Sequence, residues 1–218
     1  MDANSKQILS NQDGVHPNLE KTALRHLNSV FRKPVSKHTQ AAFDVVSEAM
    51  TSSARPLILD SCCGVGDSSR VLARAYPSHW IVGVDKSGAR LGREREEANP
   101  ENLRLVRADL NDFFRLAANA GWRPERHYIL YPNPWPKAEH LKRRWHGAPV
   151  FPDIIWLGGR LELRSNWRLY LEEFALALKL AGHTARVQAF DAKEPITPFE
   201  AKYKKSGQPL WQLTAVLS

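Results

Sequence analysis

Leu57-Ile58-Leu59-Asp60-Ser61-Cys62-Cys63-Gly64-Val65-Gly66-Asp67 sets the fold class. The apolar triplet reads as a short strand ending on Asp60. Two glycines then let the backbone take left-handed turns and pass close to a ligand before a helix that puts Val71, Leu72 and Ala75 on one face. The same unit recurs downstream. Residues 80–84 predict a second strand ending at Asp85, and Ser87 caps a charged helix expected through Ala98, closed by Asn99-Pro100. Residues 103–106 lead to Asp109 and a helix up to Gly121, and residues 128–131 run into a proline-rich loop. Residues 160–164, a helix carrying Leu169, Phe174, Ala177 and Leu178, and strands at 185–190 and 209–216 bring the strand count to seven. Upstream, Ala42, Val45, Val46 and Ala49 mark an amphipathic helix over 39–50. Strands alternating with helices predict an α/β fold, a mostly parallel sheet with helices on both faces and a ligand site beyond the carboxyl ends of the strands. Residues 1–36 have weak periodicity and are expected to be an extension, ordering only against the body or a ligand, to one domain at 37–218.

Lys and Arg number 31 against 23 Asp and Glu, a net charge of +8, so polyanions are favoured partners. With 43% hydrophobic residues and 7 Trp the chain can bury a core, which excludes a disordered or collagen-like protein. Its two cysteines, Cys62 and Cys63, are adjacent; this fits a reducing compartment and offers no metal-ligand spacing. Residues 1–14 contain Asp2 and Asp13 and lack the pattern of a signal peptide, and no apolar run reaches the roughly 18 residues of a membrane span. The expectation is a cytoplasmic protein with no membrane segment and no metal, and a monomer in solution.

A dinucleotide fingerprint starting at Gly64 needs glycine at position 69, where the chain has Ser69. That counts against a nicotinamide-dependent oxidoreductase. What remains is an acid at the strand end, a two-glycine turn, and Asp85 at the next strand end, placed to accept hydrogen bonds from a ribose diol. An acid at Asp60 would repel a pyrophosphate but suits a cofactor bearing an ammonium and a sulfonium. Singly, Asp60, Asp85 and Asp109 are as well explained as helix caps or solvated acids; three at successive strand ends beside a glycine turn favour a cofactor pocket. The string Leu-Asp-x-x-Cys-Gly-x-Gly resembles motif I of class I S-adenosylmethionine-dependent methyltransferases, with Cys62 at the first glycine of that motif. A small side chain is tolerated there if the local φ is negative. The same resemblance implies that Asp109 contacts the adenine.

On the substrate side, Pro132-Asn133-Pro134-Trp135-Pro136-Lys137 predicts a rigid loop offering Trp135 as a stacking surface. The run from His140 to His146, with Lys142, Arg143, Arg144 and Trp145, suits phosphates and bases; elsewhere it would read as a solvated loop. Pro-Asn-Pro-Trp-Pro-Lys followed by Lys142-Arg143-Arg144 and Phe151 resembles the Pro-Asp-Pro-Trp-Pro-Lys…Lys-Arg-Arg signature of the tRNA (guanine-N7)-methyltransferase family. Gly158-Gly159…Ser165-Asn166-Trp167…Tyr170 and Thr197-Pro198-Phe199-Glu200 resemble two further stretches of that family, so the likeness covers roughly residues 55–217.

The resemblance implies a Rossmann-like fold, S-adenosylmethionine as methyl donor and a guanine in the tRNA variable loop as acceptor. By position it puts Asp60, Gly64, Gly66, Asp85 and Asp109 at the cofactor and Asn133 at the reaction centre bordering it. Lys137, Asn166, Thr197, Phe199 and Glu200 would then face the substrate. The family has Asp where this chain has Asn133 and Asn166. Guanine N7 attacks a sulfonium methyl with its own lone pair and needs no general base, but the product purine is cationic, so an acid nearby would stabilise the developing charge. Three outcomes stay open: a slower guanine-N7 enzyme with Glu200 supplying the negative charge, methylation of another RNA atom such as an exocyclic amine, or RNA and cofactor binding without turnover. His16, His26, His38 and His127 have no nucleophile at a catalytic spacing and read as surface or capping residues; Cys62 and Cys63 read as turn and packing residues. Lys202, Lys204 and Lys205 fit tRNA phosphates and a solvated loop equally well.

Overall fold

Period-two burial organises the sheet. Leu57 and Leu59, with Trp80, Val82 and Val84, enter one apolar cluster, whereas Ile58 and Ile81 enter the other, as strands covered on both faces require. The computed structural model describes residues 5, 7–51, 53–94 and 96–218. Seven strands, β1 (Leu57–Ser61), β2 (Trp80–Asp85), β3 (Leu103–Arg107), β4 (Arg126–Leu130), β5 (Gly159–Ser165), β6 (Ala185–Ala189) and β7 (Trp211–Leu217), form one sheet in the order β3-β2-β1-β4-β5-β7-β6. The five from β3 to β5 are parallel, and β7 runs antiparallel to both its neighbours. The expected α/β architecture is therefore present, with the chain reversing direction across the sheet between β1 and β4, where such folds open a crevice.

Helices α1 (Leu19–Leu27), α2 (Lys37–Thr51), α5 (Leu110–Asn119), α6 (Phe151–Leu157) and α7 (Arg168–Leu180) cover the face holding Phe43, Phe113, Phe151 and Phe174. The opposite face packs Leu72 and Ala73 of α3 (Asp67–Ala75) and is flanked by α4 (Gly88–Leu91) and α8 (Pro198–Lys205). Close packing of α3 on β2 depends on Gly83, where an added Cβ would lie 2.3 Å from Ser69 Oγ. No helix among the described residues is long and apolar enough to cross a membrane.

Two elements depart from the sequence reading. Ser87 caps α4, accepting from the Arg90 amide, but the helix stops at Leu91 instead of reaching Ala98; Gly88 and Gly92 each withhold roughly 1 kcal/mol of helix propensity from so short a segment. Within the N-terminal extension, helix α1 is absent from the sequence reading. In α1, Leu19, Thr22, Ala23 and His26 are buried at helical spacing against α6 and α7, a stripe hidden in the sequence because two of its four members are polar.

Candidate active site

A cavity of about 740 Å³ opens beyond the carboxyl ends of β1, β2 and β4, within the size range of small-ligand sites. One wall is the β1–α3 turn. Gly64 and Gly66 take φ of 61° and 81°, and the Gly64 amide donates to Asp85 Oδ2 at 3.0 Å. The Ser87 amide holds Asp85 Oδ1 at 2.8 Å, which leaves further lone pairs of this buried, cavity-lining carboxylate to accept from a ligand diol. Cys62 departs from expectation: its φ is +64°, so the first position of the turn is left-handed with a side chain in place. Burial pushes its thiol up to about 12 and raises Cys63 as well, so both stay protonated at neutral pH in turn and packing roles.

Asp60 lies under the turn and does not line the cavity. Ser68 and Ser69 both donate to its Oδ2 at 2.6 Å, while Oδ1 is buried with no hydrogen-bond partner among the described residues. Burial is the main cause that lifts this carboxyl to about 6; the serine hydroxyls oppose the rise and Asp85 adds to it. Asp109 caps α5 by accepting from the Asn111 amide, and is exposed at the cavity edge.

The opposite wall is the loop after β4. Tyr131 and Trp135 have φ of 50° and 47°, values rare for bulky residues. Asn133 forms an Asx turn, its Oδ1 accepting from the Trp135 amide at 3.2 Å, and it lines the cavity with Trp135, Lys142, Arg143, Thr197 and Phe199. Arg143 lies over the Trp135 ring at 4.7 Å. The sequence reading missed Lys86, Arg90 and Arg93, which also line the cavity; the signal for them is their place directly after Asp85.

Several residues expected to face substrate do not. Glu200 is fully buried: it accepts from Tyr131 Oη and Arg164 Nη1 through Oε1 and from the Ile196 amide through Oε2, so its charge is already balanced inside the protein. Thr197 caps α8 through the Glu200 amide, and Thr-Pro-Phe-Glu is a capping-box sequence that could have located this helix. Arg144 is also fully buried and does not reach the cavity; it grips the loop from behind, donating to the carbonyls of Trp135 and Lys137. Asn166 lies outside the cavity and donates to Gln208 Oε1 at 2.7 Å. Lys137 is exposed beside the loop and not in the cavity lining. His127 is a core residue against Ser61, with burial lowering it to about 3, and His26 is buried too.

The donor set fits S-adenosylmethionine. A glycine cradle opens to the cavity, Asp85 and Asp109 stand at its rim, and a carboxylate oxygen without a partner lies beneath the turn. Proteins of known sequence and structure are similar to this chain along most of its length. A tRNA (guanine-N(7)-)-methyltransferase of Leifsonia xyli is 28% identical over 183 residues, covering 76% of this chain and 78% of its own. Its counterpart in Rubrobacter xylanophilus is 27% identical over 205 residues, covering 91% and 89%. Among solved structures, an antibiotic-related methyltransferase superposes with a TM-score of 0.60 at 15% identity over 85% of this chain and 97% of its own. The 16S rRNA (adenine(1408)-N(1))-methyltransferase of Catenulisporales acidiphilia gives 0.55 at 19% identity over 80% and 93%. A family model described as "Putative methyltransferase" matches residues 54–213, from the foot of β1 into β7, and the chain belongs to this family of methyltransferases.

Proposed function

We propose that this protein transfers a methyl group from S-adenosylmethionine to N7 of a guanine in the variable loop of tRNA. The observation that carries the reading is the junction, in one cavity, of the glycine turn with Asp85 and the Asn133–Trp135 loop with its Lys142 and Arg143 rim. The tRNA (guanine-N(7)-)-methyltransferases similar to it along most of its length support the choice of acceptor. Bound S-adenosylmethionine supplies an electrophilic methyl group.

The chain's own residues bind and align. Asp85 takes the ribose diol, the Gly64–Gly66 turn lets the backbone come close, and Asp109 stands at the adenine end. Asp60 contributes negative charge from beneath the turn. Trp135 and Phe199 offer aromatic faces to the acceptor base, while Lys142 and Arg143 hold flanking phosphates. Guanine N7 would use its own lone pair, the methyl leaving sulfur as the N–C bond forms and S-adenosylhomocysteine departing, so no residue of this chain has to accept a proton. Asn133 presents only an amide dipole to the purine as it becomes cationic, and Glu200, neutralised by Arg164, does not replace the missing charge. The enzyme therefore relies on alignment more than on charge. We place it in the cytoplasm, working as a monomer on one domain spanning 37–218.

Incubation with labelled S-adenosylmethionine and unmodified tRNA, followed by borohydride and aniline cleavage at 7-methylguanine, tests this. The expected result is label in tRNA and one cut in the variable loop. Label at an exocyclic amine refutes the N7 assignment, and absence of label on any RNA refutes the activity.

A further inference from the structure

The N-terminal segment packs against the loop that forms the substrate wall of the cavity, and its contacts converge there. Ser10 Oγ donates to the Pro136 carbonyl at 2.7 Å, and Asn11 Oδ1 accepts from the Ala138 amide at 2.9 Å. Gln12 reaches the same loop from behind. Its Nε2 donates to Glu173 Oε1 and its Oε1 accepts from Arg144 Nη1. The His16 amide donates to the same Glu173 oxygen at 2.8 Å. Glu173 Oε2 then takes Arg144 Nη1 and His146 Nε2, and Arg144 passes the connection on to the carbonyls of Trp135 and Lys137. Backbone groups of four successive residues, 135–138, are thus held by the strap or by the Arg144 that it helps to fix.

We propose that residues 10–16 are a working part of the acceptor site: a strap that positions Asn133 and Trp135 for the base, with Asn11 and Gln12 as its positioning residues. Two observations require such a device. Trp135 is held at a positive φ, a conformation that persists only when its surroundings impose it. The loop also carries three prolines in five residues, so it donates few backbone hydrogen bonds of its own and must be tied through carbonyls. The strap supplies what the loop lacks. The inference deepens the tRNA reading and rests on it for its kinetic arm only.

The test uses the full chain carrying Ser10→Ala with Asn11→Ala, and separately Ser10→Ala with Asn11→Asp (below, Asn11→Asp), which restores the acceptor for the Ala138 amide. Hydrogen exchange at residues 135–140 is read without RNA. The double variant should exchange there roughly tenfold faster or more, with α2 and α5 unchanged and with S-adenosylhomocysteine affinity retained. In the kinetic arm kcat/KM for tRNA should fall about tenfold or more, and Asn11→Asp should recover most of it. Unchanged exchange in the loop, or acceleration spread evenly through the domain, overturns the proposal, as does a kinetic loss that Asn11→Asp fails to rescue. If the unmutated protein labels no tRNA, the acceptor assignment fails by itself, and the exchange arm still decides whether the strap holds the loop.

Discussion

The two walls of the cavity are built by different means. The cofactor wall is made almost entirely within residues 60–87, where backbone amides of Gly64 and Ser87 fix Asp85 and two nearby serines fix Asp60. The substrate wall is assembled from distant parts of the chain: Arg144 and Glu173 are 29 residues apart, and Gln12 lies 161 residues from Glu173. A local turn carries its instructions in a short motif, whereas a wall held by long-range side-chain bonds depends on the whole domain. Damage at its centre should therefore cost stability as well as function.

The largest effect is expected at Glu173. Burial by itself would raise this carboxyl, but the His146 hydrogen bond, the His16 amide and Arg144 outweigh it and hold it at about 2. Glu173→Ala would leave the fully buried Arg144 without its counter-charge, at about 3–5 kcal/mol of stability. Glu172→Ala, which breaks the exposed pair with Arg168, should change it by no more than about 0.5 kcal/mol. Urea unfolding midpoints at equal slope compare the two. Equal losses would mean that the network is no more important than a surface pair. Because the folded value of Glu173 lies below its unfolded one, its contribution is present above the ordinary carboxylate range and fades as pH falls toward 2.

Asp60 on the cofactor wall has the opposite sign. Its folded value of about 6 lies above the 3.8 of an unperturbed Asp, so its favourable contribution is complete below the lower figure and lost as pH rises through the higher. From pH 4 to pH 7 this group alone should remove roughly 2 kcal/mol, which Asp60→Asn should abolish. The slope of stability against pH in the two proteins is the measurement. Parallel slopes would place the titration elsewhere.

A smaller effect concerns rate. Asn133→Asp puts a carboxylate at the cavity where positive charge develops and should raise kcat for tRNA by about tenfold, less than the roughly 10²–10³ of a preorganised buried group because position 133 is exposed. Adding Asn166→Asp should give no further gain. Asn166 lies outside the cavity and donates to Gln208, whose own amide donates to the Ser5 carbonyl, so a carboxylate there would face an acceptor. Single-turnover rates of the three proteins decide it; a rate unchanged by Asn133→Asp would mean that alignment alone sets the barrier.

The contrast between the walls also explains what could be read from the sequence. All seven strands were legible, as were the glycine turn and the cap at Ser87, because each rests on spacing within a few residues. Glu200 and Arg144 were legible as charged residues beside a motif, but not as buried ones. Their partners, Arg164, Tyr131 and Glu173, come from elements far along the chain. The strap was illegible for the same reason: Ser10, Asn11 and Gln12 form no periodic pattern, and their meaning lies in Pro136, Ala138 and Glu173.

The smallest predicted change returns to the glycine turn and tests how local that wall is. Cys62 holds a φ of +64°, where a residue with a Cβ is disfavoured by roughly 1–2 kcal/mol relative to glycine. Against that, the partly buried side chain packs against the apolar core, and glycine increases the freedom of the unfolded chain. These terms partly offset the relief of strain, so Cys62→Gly should stabilise the protein by about 0.5–1 kcal/mol, read as a rise in Tm. S-adenosylhomocysteine affinity should be kept, since the Gly64 amide and Asp85 are untouched. A fall in Tm would show that the packing of Cys62 against the apolar core outweighs the backbone strain and that the cofactor wall, too, depends on the body of the domain.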